Sequence, residues 1–179
     1  IILLQGPAAQ APDKDEAAPR AILGAAKAAP AAIGAALDGL PEGARVGTGS
    51  RRRQSQLLYA RPDLKVMDIR GNVETRLQKL DDGDFDAIVL AEAGLMRLEL
   101  ASRITALLEP DFMLPAVGQG ALGLETREDD ATAIALVRQL DDTATHACVL
   151  AERTLLAELR GGCLAPVGAW ARIGGEQLR

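Results

Sequence analysis

Short apolar runs alternate with longer stretches in which apolar residues recur every three or four positions. The runs RVGTG (45–49), LKVMDIR (64–70) and FDAIVLAEAG (85–94) read as strands, the last apolar enough to be buried on both faces. Between them, SRRRQSQLLYA (50–60) and GNVETRLQKLDDG (71–83) have helical spacing, the first suited to capping by Ser50 and the second closed by Gly83. LMRLEL (95–100) continues as a helix that Arg97 begins. Strand, helix and strand in this order predict an α/β unit with a mainly parallel sheet. Further on, LEPDFMLPAVGQGALGLETR (108–127) has Pro and Gly punctuation and then a strand, where the chain passes from one domain to another. Two amphipathic helices follow, DDATAIALVRQL (129–140) and TATHACVLAERTLLAELR (143–160), the second stopped by Gly161 and Gly162. Cys163 therefore falls just past a helix C-terminus.

The ends of the chain read differently. IILL is strand-like, and the Pro-, Ala- and charge-rich stretch after it reads as a linker. The first residue is isoleucine, with no signal-peptide pattern behind it, so a fragment is expected. The Ala-rich stretch 21–40 is interrupted by Lys27, Pro30 and Asp38, which argues against a membrane span. Among 179 residues there are two cysteines, Cys148 and Cys163, too few for a disulfide scaffold. A reducing, cytoplasmic setting is expected, with any exposed thiol free for chemistry. The net charge of −5 argues against chain-wide attraction to nucleic acid or an anionic membrane, so any anion site must be local.

Such a site is suggested where strands end, the usual ligand position in open α/β sheets. Thr48, Gly49 and Ser50 turn into a helix start whose free N–H groups attract anions, and Arg51, Arg52 and Arg53 follow at once. Arg70 ends a strand, Asn72 can cap the next helix, and Arg76 lies one turn beyond it. Arginine at these places suits carboxylates, because its planar fork engages both oxygens and stays charged when partly buried. Solvated surface charge is the competing reading, and it must hold for at least one of three consecutive arginines on a helix. The remaining candidates are structural. His146 has no second histidine with which to hold a metal, and Cys148 is expected to pack in a core. The aspartates at 81, 82, 84 and 86 are expected to be solvated, and Gly118-Gln119-Gly120 reads as a hinge or close-approach loop.

Four blocks, VGTGSRRRQ, IRGNVETRLQKLDDGDFDAIVLAEAGLMRL, LPAVGQGALGLE and AERTLLAELRGGCLAPVGA, resemble the porphobilinogen deaminases in order and spacing over about Leu40 to Ala171. The resemblance implies a periplasmic-binding-protein-like α/β domain, flanked by part of a second α/β domain and a small α+β C-terminal domain. On that pattern residues 1–20 end domain 1 and form a hinge, 21–110 make domain 2, 111–128 return to domain 1, and 129–179 begin domain 3. It implies a transferase of tetrapyrrole (haem, chlorophyll) biosynthesis that joins four porphobilinogen molecules head to tail with release of ammonia.

The family's Gly-Gly-Cys loop carries a dipyrromethane cofactor through a thioether, and that position is Cys163. Carboxylate-binding roles carry over to Thr48, Ser50, Arg52, Arg53, Arg70, Asn72, Arg76 and Arg97. Arg51 and Gly49 depart from the family's usual apolar residue and serine. The family's Ser-x-Lys-Asp segment, whose aspartate assists ammonia loss, has no match, since Lys14-Asp15 lacks the serine. No catalytic residue is therefore assigned, and these residues alone are expected to be inactive. The implied partners are porphobilinogen and the growing polypyrrole, with no metal, nucleic acid or membrane, in a monomer when full length. A non-catalytic polycarboxylate-binding module is the alternative.

Overall fold

The computed structural model describes residues 2–3, 21–22, 37–161, 165–175 and 177–179. They fall into two compact units, the first made of the described residues up to Pro115 together with 165–166, the second of the remaining ones from Ala116 onward. The first is built on a six-stranded sheet. Strands β3 (Arg45–Gly47), β4 (Lys65–Met67) and β5 (Ala87–Ala91) are parallel, with β3 between the other two. Beyond β5 lies one antiparallel lane filled by two short pieces. β1 (Ile2–Leu3) pairs with Val89 and Ile88, and β2 (Ala21–Ile22) pairs with Ala91 and Leu90. β6 (Ile104–Leu108) pairs with the far side of both pieces, so it runs in the same sense as β5. The sheet is thus mainly parallel, as expected, with a single reversed lane.

Helices cover both faces. α1 (Arg51–Ala60) and α2 (Val73–Asp81) cross over between strands, and α3 (Glu92–Arg97) follows β5 directly. One core gathers Leu37, Leu40, Val46, Leu57, Val89 and Leu108, and the other gathers Ile69, Leu77, Leu80, Ile88, Leu90 and Leu95. Successive residues of β5 enter opposite cores, which is why its sequence is an unbroken apolar run rather than an alternating one. Gly47 follows from the same crowding. A Cβ there would stand 3.0 Å from Ile88 Cγ2 and from Phe85 Cδ1.

Polar contacts fix the strand starts. The Arg45 backbone donates to Asp86 Oδ2 at 2.8 Å, and its guanidinium donates to both Asp86 oxygens at 3.2 and 2.9 Å. Asp86 is therefore a register pin for β3 against β5. Of the other aspartates read as solvated, Asp81 pairs with Arg103 and Asp82 accepts from Gln78.

The second unit contains α4 (Ala131–Val137), α5 (Thr143–Glu158) and the hairpin of β7 (Ile173–Gly174) with β8 (Gln177–Leu178). Glu152 and Ala169 are its buried residues among those described. Leu136, Leu140, Leu150 and Leu159 are all more than half exposed. Cys148, expected in a core, is only half-buried, because α5 has no apolar layer closed over it among the described residues. His146 sits at the helix surface with Nδ1 2.9 Å from Asp141.

Three further expectations are corrected. The strand expected within 111–128 does not form. Ala116 makes one antiparallel bridge to Gly168, and Leu122 and Leu124 lie exposed with no partner strand among the described residues. The third strand ends at Ala91, since β5 passes straight into α3 at Glu92. Last, α5 is closed without glycine in the left-handed position. Arg160 takes φ 49°, its N–H donates to Ala157 O, and Gly161 N–H donates to Leu156 O, both at 2.9 Å. This is a Schellman closure one residue earlier than glycine spacing suggests.

A side chain in that conformation carries strain that glycine avoids, partly offset by glycine's greater freedom when unfolded. Arg160→Gly is expected to stabilise the second unit by about 0.5–1 kcal/mol. A higher urea midpoint for α5 unfolding in the variant checks this, and an unchanged or lower midpoint contradicts it.

Candidate functional site

The site grows from the turn between β3 and α1. Thr48 is buried, its N–H donates to Met67 O at 3.0 Å, and its Oγ1 accepts from Ser50 N–H at 3.3 Å. Thr48 thereby ends the β3–β4 ladder and shapes the turn. Ser50 caps α1, its Oγ accepting from Arg53 N–H at 3.4 Å. Of the three arginines that follow, Arg51 is exposed, as the geometry of consecutive helical residues requires.

The other two turn inward. Arg52 is 8% exposed and donates through Nη1 to Leu114 O. Gln56, one turn later, accepts from Leu114 N–H at 2.8 Å and donates to Leu114 O at 3.3 Å. Arg52 and Gln56 together grip the backbone that follows β6. Sequence reasoning missed this role for Gln56, and its signal was the four-residue spacing from Arg52 on one helix face.

Arg53 is the centre of the site. Its Nη1 donates to Val89 O on β5 at 3.1 Å, while its buried Nε has no hydrogen-bond partner. Burial lowers its pKa from the ordinary arginine value to about 10, helped by the positive charges of Arg52 and Arg76. Burial likewise lowers the pKa of Arg52. Arg52 and Arg76 thus act on Arg53 as like charges, and among the described residues no carboxylate offsets them. An unpaired buried charge is costly, and an unused donor beside like charges is what a bound anion would satisfy.

Arg76 reaches this cluster from α2. Asn72 caps that helix, its Oδ1 accepting from Thr75 N–H at 2.8 Å, and Arg76 Nε donates to Gly71 O at 2.8 Å. Gly71 needs to be glycine, since its φ is 116° and a Cβ there would stand 2.8 Å from Thr75. Arg70 lies three residues beyond the last residue of β4 rather than on it, because the strand stops where β3 does. It is exposed and paired with Asp68 at 2.7 Å. Arg97 does not begin a helix. It closes α3, which starts at Glu92, and it is exposed without a hydrogen bond or ion pair among the described residues. So Arg52, Arg53 and Arg76 are brought together, whereas Arg70 and Arg97 stand on exposed ends. Cys163 lies outside the described residues.

The site's donors fit a group with several carboxylates. Bidentate guanidinium forks, a helix N-terminus and an orphaned Nε are all cationic or donating, and among the described residues no cluster of His, Cys, Asp and Glu suits a metal ion. No helix of the described residues is long and apolar enough to cross a membrane.

Comparison with known proteins agrees with this chemistry. Residues 14–135 match the family model described as porphobilinogen deaminase, dipyromethane cofactor binding domain, and residues 146–179 match its C-terminal domain. The chain is 56% identical over 137 residues to a porphobilinogen deaminase of Chlorobaculum tepidum, covering 76% of this chain and 44% of that protein. It is 54% identical over 145 residues to the Roseiflexus sp. RS-1 protein of the same name, covering 81% of this chain and 48% of the relative. The Xylella fastidiosa M23 enzyme is 55% identical over 145 residues, with 80% and 48% covered. The chain spans about half the length of the curated relatives it matches.

The fall in the Arg53 pKa from its ordinary value to about 10 implies that carrying this charge costs the fold about 3 kcal/mol. Arg53→Met gives up the bond to Val89 O, worth about 1 kcal/mol, so the ligand-free variant is expected to gain about 1–2 kcal/mol. The sign of the pH dependence follows. Between about 10 and the ordinary arginine value the unfolded arginine binds its proton and the folded one does not, so native stability rises with pH in that window and the variant's advantage shrinks. Urea titrations of both proteins at pH 7 and near pH 11 check this, and a variant less stable than the parent at pH 7 contradicts it.

Proposed function

Because the chain belongs to the porphobilinogen deaminase family, we propose that it supplies the cofactor cradle and the tethering cysteine of a hydroxymethylbilane synthase. The observation that carries the reading is the orphaned Nε of Arg53 in a cluster of like charges. A ligand bearing acetate and propionate arms satisfies that cluster, and the family model over 14–135 is that of a dipyrromethane-binding domain.

Arg53 and Arg76 take the innermost carboxylates, where burial makes each charge-assisted bond strong. Ser50 and the free N–H groups at the start of α1 add donors at the same edge. Thr48 and Asn72 hold the two turns in shape. Arg52, already engaged with Leu114 O, contributes its charge while fixing the chain after β6. Arg70 and Arg97, exposed, meet the outer arms of a longer polypyrrole. Arg70 must exchange Asp68 for ligand, at little cost because an exposed pair is worth at most about 1 kcal/mol.

Cys163 is the tether. Its thiolate attacks the methylene of a porphobilinogen-derived unit, forming the C–S bond as the C–N bond breaks and ammonia departs with the proton it needs. The bound dipyrromethane supplies a primer on which further units are added. The partners are porphobilinogen and the growing polypyrrole, and the setting is cytoplasmic. The division into end of domain 1 (1–20), domain 2 (21–110), return segment (111–128) and domain 3 (129–179) follows the family resemblance, and the C-terminal-domain match over 146–179 lies within the last of these.

The test is mass spectrometry of the complete enzyme that contains these residues, after exposure to porphobilinogen. A gain of two pyrrole units is expected, lost in Cys163→Ser and kept in Cys148→Ser. Arg76→Gln is expected to weaken binding of a dipyrromethane tetracarboxylate 10- to 100-fold, the worth of one to two charged hydrogen bonds. Retention of the mass gain in Cys163→Ser would overturn the tether, and binding unchanged in Arg76→Gln would overturn the cradle.

A further inference from the structure

Leu114 lies between two buried residues, Met113 and Pro115, with its own side chain exposed and its peptide groups turned to α1. Its N–H donates to Gln56 Oε1 at 2.8 Å. Its carbonyl oxygen has two lone pairs and uses both, accepting from Arg52 Nη1 and from Gln56 Nε2, the latter at 3.3 Å. The same Nε2 donates to Arg52 O at 3.2 Å, one turn back along the helix. One carboxamide therefore holds the backbone of both Leu114 and Arg52, and Leu114 O in turn holds the Arg52 guanidinium.

We propose that Gln56 is a positioning residue for the arginine cluster: it fixes Leu114 O, which fixes the guanidinium of Arg52 where its charge acts on Arg53. The inference rests on the cradle reading above and adds to it a residue that acts through Arg52 rather than on the ligand. Among the described residues Arg52 has no ion pair, so the direction of its guanidinium is set by the Leu114 carbonyl. A displaced Arg52 takes its charge away from the place where carboxylates are to be met, and charge interactions weaken with separation.

The anchoring falls on Leu114 because Pro115 has no N–H, which leaves Leu114 with the last backbone donor of the stretch that ends at Pro115. A carboxamide suits the task, since one group both accepts and donates. Glutamate would still accept from Leu114 N–H but would set an anion against Leu114 O and beside Arg52. An apolar residue would leave Leu114 N–H without its acceptor and Arg52 as the single donor to Leu114 O. A ligand carboxylate that draws on Arg52 would then draw Leu114 with it.

Binding of a dipyrromethane tetracarboxylate to the complete enzyme that contains these residues, freed of its primer, is measured by calorimetry for the parent, Gln56→Met, Arg52→Met and the double variant. Gln56→Met is expected to weaken binding about tenfold, whereas in the Arg52→Met background the same change is expected to alter it less than about twofold, because the residue through which Gln56 acts is gone. A merely structural role gives equal losses in both backgrounds, and equal losses overturn the proposal, as does unchanged binding in Gln56→Met. Gln56→Glu is expected to bind more weakly than Gln56→Met, and binding as tight as the parent's overturns the proposal as well.

Thermal unfolding reports whether each variant is folded. If neither Gln56 variant folds, hydrogen exchange on the parent decides: the Leu114 amide must be protected before the tetracarboxylate is added, and protection that appears only afterwards overturns the proposal. A parent that does not bind the tetracarboxylate sinks the cradle reading and this inference with it. If Arg76→Gln loses binding while Arg52→Met binds like the parent, the cradle stands and this inference alone fails.

Discussion

A guanidinium largely buried with no counter-ion among the described residues sets the arrangement of the first unit. Arg53 is held on the middle of β5 by one bond to Val89 O, with its Nε unmet and two other arginines close enough to depress its pKa. Nothing about packing asks for that. A methionine of similar volume fills the same space without the penalty, so packing does not account for the charge. The Ser50 cap, the short strands and the Gly71 turn all act to bring Arg53 and Arg76 to one edge of the sheet.

That edge stays put because the sheet is covered on both faces. β5 sends Val89 into one core and Ile88 and Leu90 into the other, so it cannot slide without exposing either set. α1 is fixed by Leu57 in the first core, while Arg52 and Arg53 in its first turn reach inward to Leu114 O and Val89 O. The cost of keeping like charges together is offset by this apolar frame. Stability and binding pull against each other at Arg53, and the frame absorbs the difference.

Much of this was legible in the sequence where local chemistry decides. Ser50 and Asn72 cap the helices that their residue types suggested, and the alternation of apolar runs with helical spacing gave the parallel core of the sheet. What failed depended on partners distant in sequence. Arg70 and Arg97 were misplaced because strand and helix limits come from ladder neighbours and from the abrupt passage of β5 into α3. The strand expected in 111–128 lacked a partner to pair with. The sharing of Leu114 by Arg52 and Gln56, and of Glu152 by Gly118 and Ala171, joins residues tens of positions apart, which no local pattern encodes. Glu152 did leave a trace, as an acid on the face of α5 shared by Cys148 and Leu155.

The two units are organised by opposite means. The first relies on apolar burial, which is non-directional and tolerates several side chains at each place. The second, in its described part, relies on backbone hydrogen bonds: the Arg160 cap, the Ala116–Gly168 bridge and the two arms of Glu152. Such bonds are directional and fail all at once when a partner is lost. The second unit's described backbone is thus set by direction more than by bulk burial, whereas the first has a well-filled core that can carry the cost of clustered arginines.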